Sequence, residues 1–132
     1  MVRKSTINDL TSILYIYEQI NVKYMVDDVK NTKDDFISYI NNGIINVYDD
    51  GVIKGFVLFF NHVTWGYIEL ICVNMKYRGC GIGELLVNSV KNDNWNQVET
   101  CCFIDDDSTI NVFKKYKFKR SNQITDWYYK IL

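Results

Sequence analysis

Apolar residues along the chain recur with two different periods, and the change of period marks the elements. "TIND" at 6–9 has the form of a capping box, Thr6 with Asp9 three residues on, and Leu10, Ile13, Leu14 and Tyr17 follow at helical spacing. After a short initial strand, this predicts a first helix to about residue 20. "TKDD" at 32–35 repeats the start signal, Phe36, Ile37 and Ile40 make the apolar stripe, and Gly43 stands where a helix would stop. A second, shorter helix follows. "IINVY", "DDG" and "VIKGFVLFF" then read as a hairpin, because Asp50 and Gly51 tolerate the positive φ angles of a tight turn. "YIELICV" at 67–73, bounded by Gly66, is a further strand. Beyond a glycine-rich stretch, Ile82, Leu85, Leu86, Ser89 and Val90 define a helix that ends near "NDN". "VETCCFI" at 98–104 reads as a strand, "STINVFKKY" at 108–116 as a short helix and "DWYYKIL" as a final strand. The order is a short strand, two helices, three strands, helix, strand, helix and one or two strands. That is an α/β chain with a mixed sheet, antiparallel in most of its first half.

No linker, repeat or low-complexity segment interrupts the pattern, so residues 1–132 are expected to form a single domain. With 15 Lys+Arg against 16 Asp+Glu, no global field favours nucleic acid, and no nucleic-acid partner is expected. No apolar run approaches the ~20 residues of a membrane span, and "MVRKSTINDL" lacks an apolar signal core. A cytoplasmic protein without membrane contact is the expectation. Cys72, Cys80, Cys101 and Cys102 show no Cys-x-x-Cys spacing, which favours buried thiols over a metal site. His62, between two apolar runs, reads as a loop residue.

The stretch "VNMKYRGCGIGELLVNSV" at 73–90 places glycines at 79, 81 and 83, directly after Arg78 and directly before a helix. A strand, a tight turn and a helix start leave unpaired backbone N–H groups at the positive end of the helix, an arrangement suited to a phosphate. Glycine removes the Cβ atoms that would hold an anion away from those amides, and Arg78 adds a charge. The spacing is neither Gly-x-Gly-x-x-Gly nor a loop ending in Gly-Lys-Ser/Thr. A turn built of glycines only for tight strand-to-helix packing is the competing reading, and spacing alone leaves the two even.

"VNMKYRGCGIGELL" resembles the coenzyme A loop of the GNAT superfamily of N-acetyltransferases, whose pattern is Arg or Gln, two residues, Gly, one residue, then Gly or Ala. Arg78, Gly81 and Gly83 fill it. "VRKSTINDLTSI" and "STINVFKKYKFKR" resemble the family's opening strand and helix and its late helix and strand. The resemblance implies a splayed, mostly antiparallel central sheet flanked by about four helices. It implies acetyl-CoA as cosubstrate between the fourth and fifth strands, no metal, and direct acetyl transfer to the primary amine of a small molecule or peptide. Main-chain groups of Ile71, Cys72 and Val73 are then the pantetheine contacts. The loop amides of Arg78, Gly79, Cys80, Gly81, Ile82, Gly83 and Glu84 are the pyrophosphate contacts. Four positions depart from the family pattern. Met75 replaces a proline, Lys117 a glycine that ends the late helix, and Asp106 an asparagine that bonds the cofactor. Phe113 replaces the tyrosine that protonates the departing thiolate, while Tyr116 falls on a core packing position.

Glu69 is the candidate general base. In a strand with strict alternation Tyr67, Glu69, Ile71 and Val73 share a face, which puts Glu69 on the side that meets pantetheine. A carboxylate in "YIELICV" is also expected to be partly desolvated, raising its pKa; an ion pair with a neighbouring Lys or Arg is the alternative. The Val73 amide is, by family analogy, the donor to the thioester oxygen. Asp27, Asp28, Asp34 and Asp35 place negative charge where the family's acceptor cleft lies, or simply on a solvated surface. A non-catalytic acyl-CoA-binding module is the second function class. A monomer and a homodimer are equally compatible with the sequence.

Overall fold

A computed structural model of the chain describes residues 1–19, 30–101, 107–120 and 127–131. Strand β1 (Val2–Lys4) leads to the Thr6 and Asp9 box, in which the Asp9 carboxylate accepts the Thr6 N–H at 2.8 Å. The box opens on a 3₁₀ turn, Ile7–Asp9, and α1 occupies Leu10–Tyr17. At α2 (Lys33–Asn41) both halves of the box form: Asp35 N donates to Thr32 Oγ1 at 3.1 Å and Thr32 N to Asp35 Oδ2 at 2.7 Å. Gly43, at φ +69°, follows as the stop.

β2 (Ile45–Asp49) and β3 (Ile53–Asn61) form the hairpin, but its turn is longer than a two-residue one. Only Gly51, at φ +108°, takes the positive angle; Asp50 does not, and a register shift between Tyr48 and Asp49 absorbs the extra length. β4 covers Trp65–Val73 and therefore starts before the expected boundary at Gly66. The reason is packing, since a Cβ at Gly66 would lie 2.4 Å from the Trp95 ring, so the bare backbone is the seat of that indole. α3 (Ile82–Ser89), β5 (Gln97–Cys101), α4 (Asp107–Lys115), β6 (Lys119–Arg120) and β7 (Trp127–Ile131) complete the order.

The strands lie in one sheet, β1-β2-β3-β4-β5-β7-β6, antiparallel throughout except for β4 and β5. Period-two alternation sends the two faces of β3 to different partners. Phe56 and Leu58 share one core with Ile13, Ile16 and Phe36 of α1 and α2, whereas Val57 shares the other with Ile82, Leu86 and Val87 of α3 and Phe113 of α4. Helices thus cover both faces of the sheet.

Two local features set stability. Arg3 on β1 binds Asp9 through both terminal nitrogens at 2.8 and 2.9 Å and reaches Asp49 on β2 with Nε and Nη2 at 3.1 and 3.0 Å. Hydrogen bonding from Arg3 holds the nearly buried Asp9 carboxyl below its ordinary pKa, against the opposing effect of burial. The second feature closes α4. Phe118 N donates to Phe113 O at 2.9 Å and Lys117 N to Lys114 O at 3.0 Å, with the two phenylalanine rings 5.6 Å apart. This is a Schellman stop, and it forces Lys117 to φ +67°, a left-handed angle that disfavours a side chain by roughly 1–2 kcal/mol. Lys117→Gly is therefore expected to stabilise the fold by about 1 kcal/mol after the entropic cost of glycine, read as a melting temperature a few degrees higher.

Candidate active site

β4 and β5 are paired only at Trp65 with Gln97, Gly66 with Val98 and Tyr67 with Glu99. One residue further on, a side chain takes over: Thr100 Oγ1 donates to the Ile68 carbonyl at 3.0 Å. β4 then runs on to Val73 without a strand partner on that side among the described residues. The sheet opens into a wedge there, with residues 69–73 along one lip.

A β-bulge sits at the start of this lip. Leu58 pairs with Leu70 but Phe59 pairs with Ile68, so Glu69 is the extra residue. Ile68 and Ile71, three residues apart, both pack toward α3, and strict alternation fails between them. Tyr67, paired with Phe60 on the α1 and α2 side, therefore faces away from Ile71 and Val73. This corrects the expected common face of Tyr67, Glu69, Ile71 and Val73. The Glu69 carboxylate acts electrostatically on the phenols of Tyr39 and Tyr67, which places it with the α1 and α2 side. Glu69 keeps solvent access, and partial burial raises its carboxyl pKa as expected. Among the described residues no ion pair engages it. Beside it, the Tyr67 hydroxyl lies 2.9 Å from Cys101 Sγ, at the closed end of the wedge. Periodicity gives no signal for this contact, because it depends on where two distant strands part.

At the far end of β4 the chain turns into the glycine loop. Asn74 N donates to Lys54 O at 2.8 Å, Asn74 Oδ1 accepts from Lys76 N at 3.1 Å, and a 3₁₀ turn spans Met75–Tyr77. Arg78 folds back, with Nε donating to the Val73 carbonyl at 3.1 Å. Gly79 and Gly81 then adopt φ +81° and +82°, and a Cβ at either would meet nothing within 4 Å. Backbone angle demands glycine at both positions, and the space beside them is open. The first bond of α3 runs from Leu85 N to Gly81 O at 3.2 Å. The amides of Ile82, Gly83 and Glu84 precede it and have no intrahelical acceptor, so the helix presents them at its positive end. This arrangement fits an anionic diphosphate, and the residues that would hold it are those of 78–84.

The remaining candidates divide. Cys72 is buried on the α1 and α2 side, and burial pushes its thiol pKa up; Cys80 is exposed and Cys101 half-buried, so among the described cysteines the buried-thiol expectation holds for Cys72 alone. Phe113 is packed in the α3 and α4 core. Tyr116 directs its hydroxyl at Gly83 rather than at the wedge. Asp35 is occupied as a helix cap. His62 lies past the end of β3, exposed and stacked on Trp65 at 4.1 Å. Asp27, Asp28, Cys102 and Asp106 lie outside the described residues.

The family model of the Acetyltransferase (GNAT) family matches residues 10–118. The chain belongs to the GNAT family. Its fold is similar to Ard1 from Thermoplasma volcanium, at 19% identity and TM-score 0.79 over 100% of this chain and 97% of that one. It is similar to a GNAT-family acetyltransferase from Bacillus cereus, at 22% identity and TM-score 0.77 over 99% and 96%. It is also similar to yncA, a putative acetyltransferase from Salmonella typhimurium solved with its cofactor acetyl-CoA, at 13% identity and TM-score 0.80 over 100% and 93%. At these identities the likeness is one of fold. No curated protein matches the sequence at a significant level. Among the described residues of this GNAT chain, no cluster of His, Cys, Asp or Glu could hold a metal, and no helix is long and apolar enough to cross a membrane.

Proposed function

We propose that the chain is an N-acetyltransferase that moves the acetyl group of acetyl-CoA to a primary amine of a small molecule or peptide. The observation that carries this reading is the conjunction of two features along the second half of one strand: the open wedge beside residues 69–73, and the loop, directly after Val73, whose glycines and free amides cap it. In this reading the main chain of Ile71, Cys72 and Val73 lines pantetheine, the Val73 amide faces the thioester oxygen, and residues 78–84 hold the diphosphate.

Glu69 is the proposed base: it stands at the bulge that starts the wedge, and partial burial raises its carboxyl pKa. An amine of pKa ~10.4 is mostly protonated at neutral pH and must lose a proton before attack. The bulge puts the carboxylate on the α1 and α2 side, opposite the apolar contacts of Ile71 and Val73, so acceptor and acyl donor approach the wedge from different faces. Phe113 supplies no proton to the leaving group. Thiols near pKa ~8.5 leave as tolerably stable thiolates, so transfer proceeds without a dedicated acid at some loss of rate. A binding module without turnover is the second reading, and the burial of Phe113 in the core is what favours it.

Thiol release from acetyl-CoA across a panel of primary amines separates the two. Release above background with any amine supports transfer; binding of coenzyme A without release supports the module. Gly81→Val tests the loop in either case. A branched residue at φ +82° displaces the loop amides, and affinity for coenzyme A is expected to fall at least tenfold by calorimetry. Unchanged affinity would remove the loop from the site.

A further inference from the structure

Gly83, unlike Gly79 and Gly81, has no positive φ, and its missing Cβ is accounted for by one neighbour. A Cβ there would lie 2.2 Å from the Tyr116 hydroxyl oxygen, 3.1 Å from Cζ and 3.5 Å from Cε2. The phenol of the residue that follows α4 thus arrives end-on, hydroxyl first, at the second residue of α3. The position demands glycine because of the hydroxyl: without it the nearest ring atom would stand 3.1 Å away, a contact a small tilt relieves. The oxygen rests on the first turn of α3, where the amides of Ile82, Gly83 and Glu84 lack intrahelical acceptors. Tyr116 is half-buried, and among the described residues no hydrogen bond engages its hydroxyl. A phenol held in a notch carved for it, beside the free amides of a helix start and with no partner among the described residues, is poised to donate.

We infer that Tyr116 is a cofactor-binding residue whose O–H donates to the diphosphate of coenzyme A, so that α4 holds the anion from one side while the amides of α3 hold it from the other. The inference rests on the reading of residues 78–84 as the coenzyme A loop. It also assigns Tyr116 away from the thiol chemistry, since its hydroxyl lies against Gly83 at the start of α3. Burial, followed by the nearby Glu84 carboxylate, raises the Tyr116 pKa and keeps the phenol protonated, as a donor must be.

Tyr116→Phe deletes only the donor. Hydrogen bonds to a charged group contribute about 1.5–3 kcal/mol, so affinity for coenzyme A by calorimetry is expected to fall about tenfold or more, with the melting temperature of the unliganded protein unchanged. The same loss is expected with 3′-dephospho-coenzyme A, which keeps the diphosphate. Equal affinity in the parent and variant overturns the inference while leaving the loop assignment standing; failure of the parent protein to bind coenzyme A at all overturns the loop assignment itself. A loss seen with coenzyme A but not with the dephospho form moves the contact to the 3′-phosphate and overturns the diphosphate assignment. A loss that appears only together with a lowered melting temperature assigns Tyr116 to packing and overturns the inference as well. Gly83→Ala supplies an independent check. The added methyl expels the hydroxyl, so it should cost affinity in the parent and little more in a Tyr116→Phe background; equal cost in both backgrounds shows that the notch does not hold a ligand-binding hydroxyl.

Discussion

Glu69→Gln is expected to lower turnover at neutral pH by roughly 10²-fold or more, the range found when a positioned general base is removed. The amide keeps the size and hydrogen-bonding reach of the side chain but cannot take a proton. At alkaline pH the acceptor amine deprotonates unaided, so the deficit should shrink as pH rises toward the amine pKa of ~10.4. The parent protein should show an acid limb in its rate profile displaced upward from an ordinary glutamate, because partial burial raises the Glu69 pKa, and the variant should lack that limb. Affinity for coenzyme A should be unchanged, since the bulge turns Glu69 away from the Ile71 and Val73 face. A pH–rate profile identical in parent and variant would remove Glu69 from the mechanism.

Arg3→Met has the largest expected effect on stability. It keeps an apolar stem and removes the guanidinium that neutralises Asp9, leaving a nearly buried carboxylate with the Thr6 N–H but without its cation. Breaking a fully buried pair costs about 3–5 kcal/mol; Arg3 retains about a third of its exposure, so screening places the expected loss near the bottom of that range, roughly 3 kcal/mol. For a chain of this size that is a fall in melting temperature on the order of 10 °C. The sign of the pH dependence follows from the direction of the shift. The folded-state pKa of Asp9 is lowered by Arg3, so the parent's stabilisation is complete above the ordinary carboxylate pKa of ~3.9 and is lost as pH falls through the lowered value. Asp49 is lowered too, first by the Gly51 N–H and then by Arg3, and adds in the same direction. In the variant the unpaired Asp9 is easier to protonate, so acidification relieves it. The gap between parent and variant should therefore narrow below about pH 4 in denaturant titrations. A gap that widens there would mean that Arg3 stabilises the fold by some route other than Asp9.

Much of this architecture is legible in the sequence because it is written locally. The capping signals at Thr6 and Thr32, the Gly51 turn and the alternation in "VIKGFVLFF" each involve residues within a few positions of one another, and each element appears where they place it. Lys117 shows that even a departure is readable: a lysine in the glycine position of a helix stop adopts the left-handed angle the position imposes. The glycine loop is legible for the same reason. The bulge at Glu69 is not, since a period-two projection carries no record of an inserted residue, and one insertion exchanges the two faces of everything beyond it. The Tyr67 to Cys101 contact, the Thr100 strap, the Trp95 seat on Gly66 and the Tyr116 notch at Gly83 are equally silent, because each joins residues at least 29 positions apart through the way the sheet and helices pack.

The wedge has a consequence for how this fold responds to its surroundings. A strand interior ordinarily finds its neighbours within the same chain, but among the described residues the lip at 69–73 has no strand on its β5 side, and in the proposed function acetyl-CoA takes that place. A molecule that fills the gap binds the native state and has no comparable place in the unfolded chain, so it adds RT ln(1 + [L]/Kd) to the free energy of unfolding, about 2.7 kcal/mol at a hundredfold excess over Kd. If acetyl-CoA is that molecule, the resistance of this protein to heat is partly a property of the solution it sits in, rising and falling with the cosubstrate concentration.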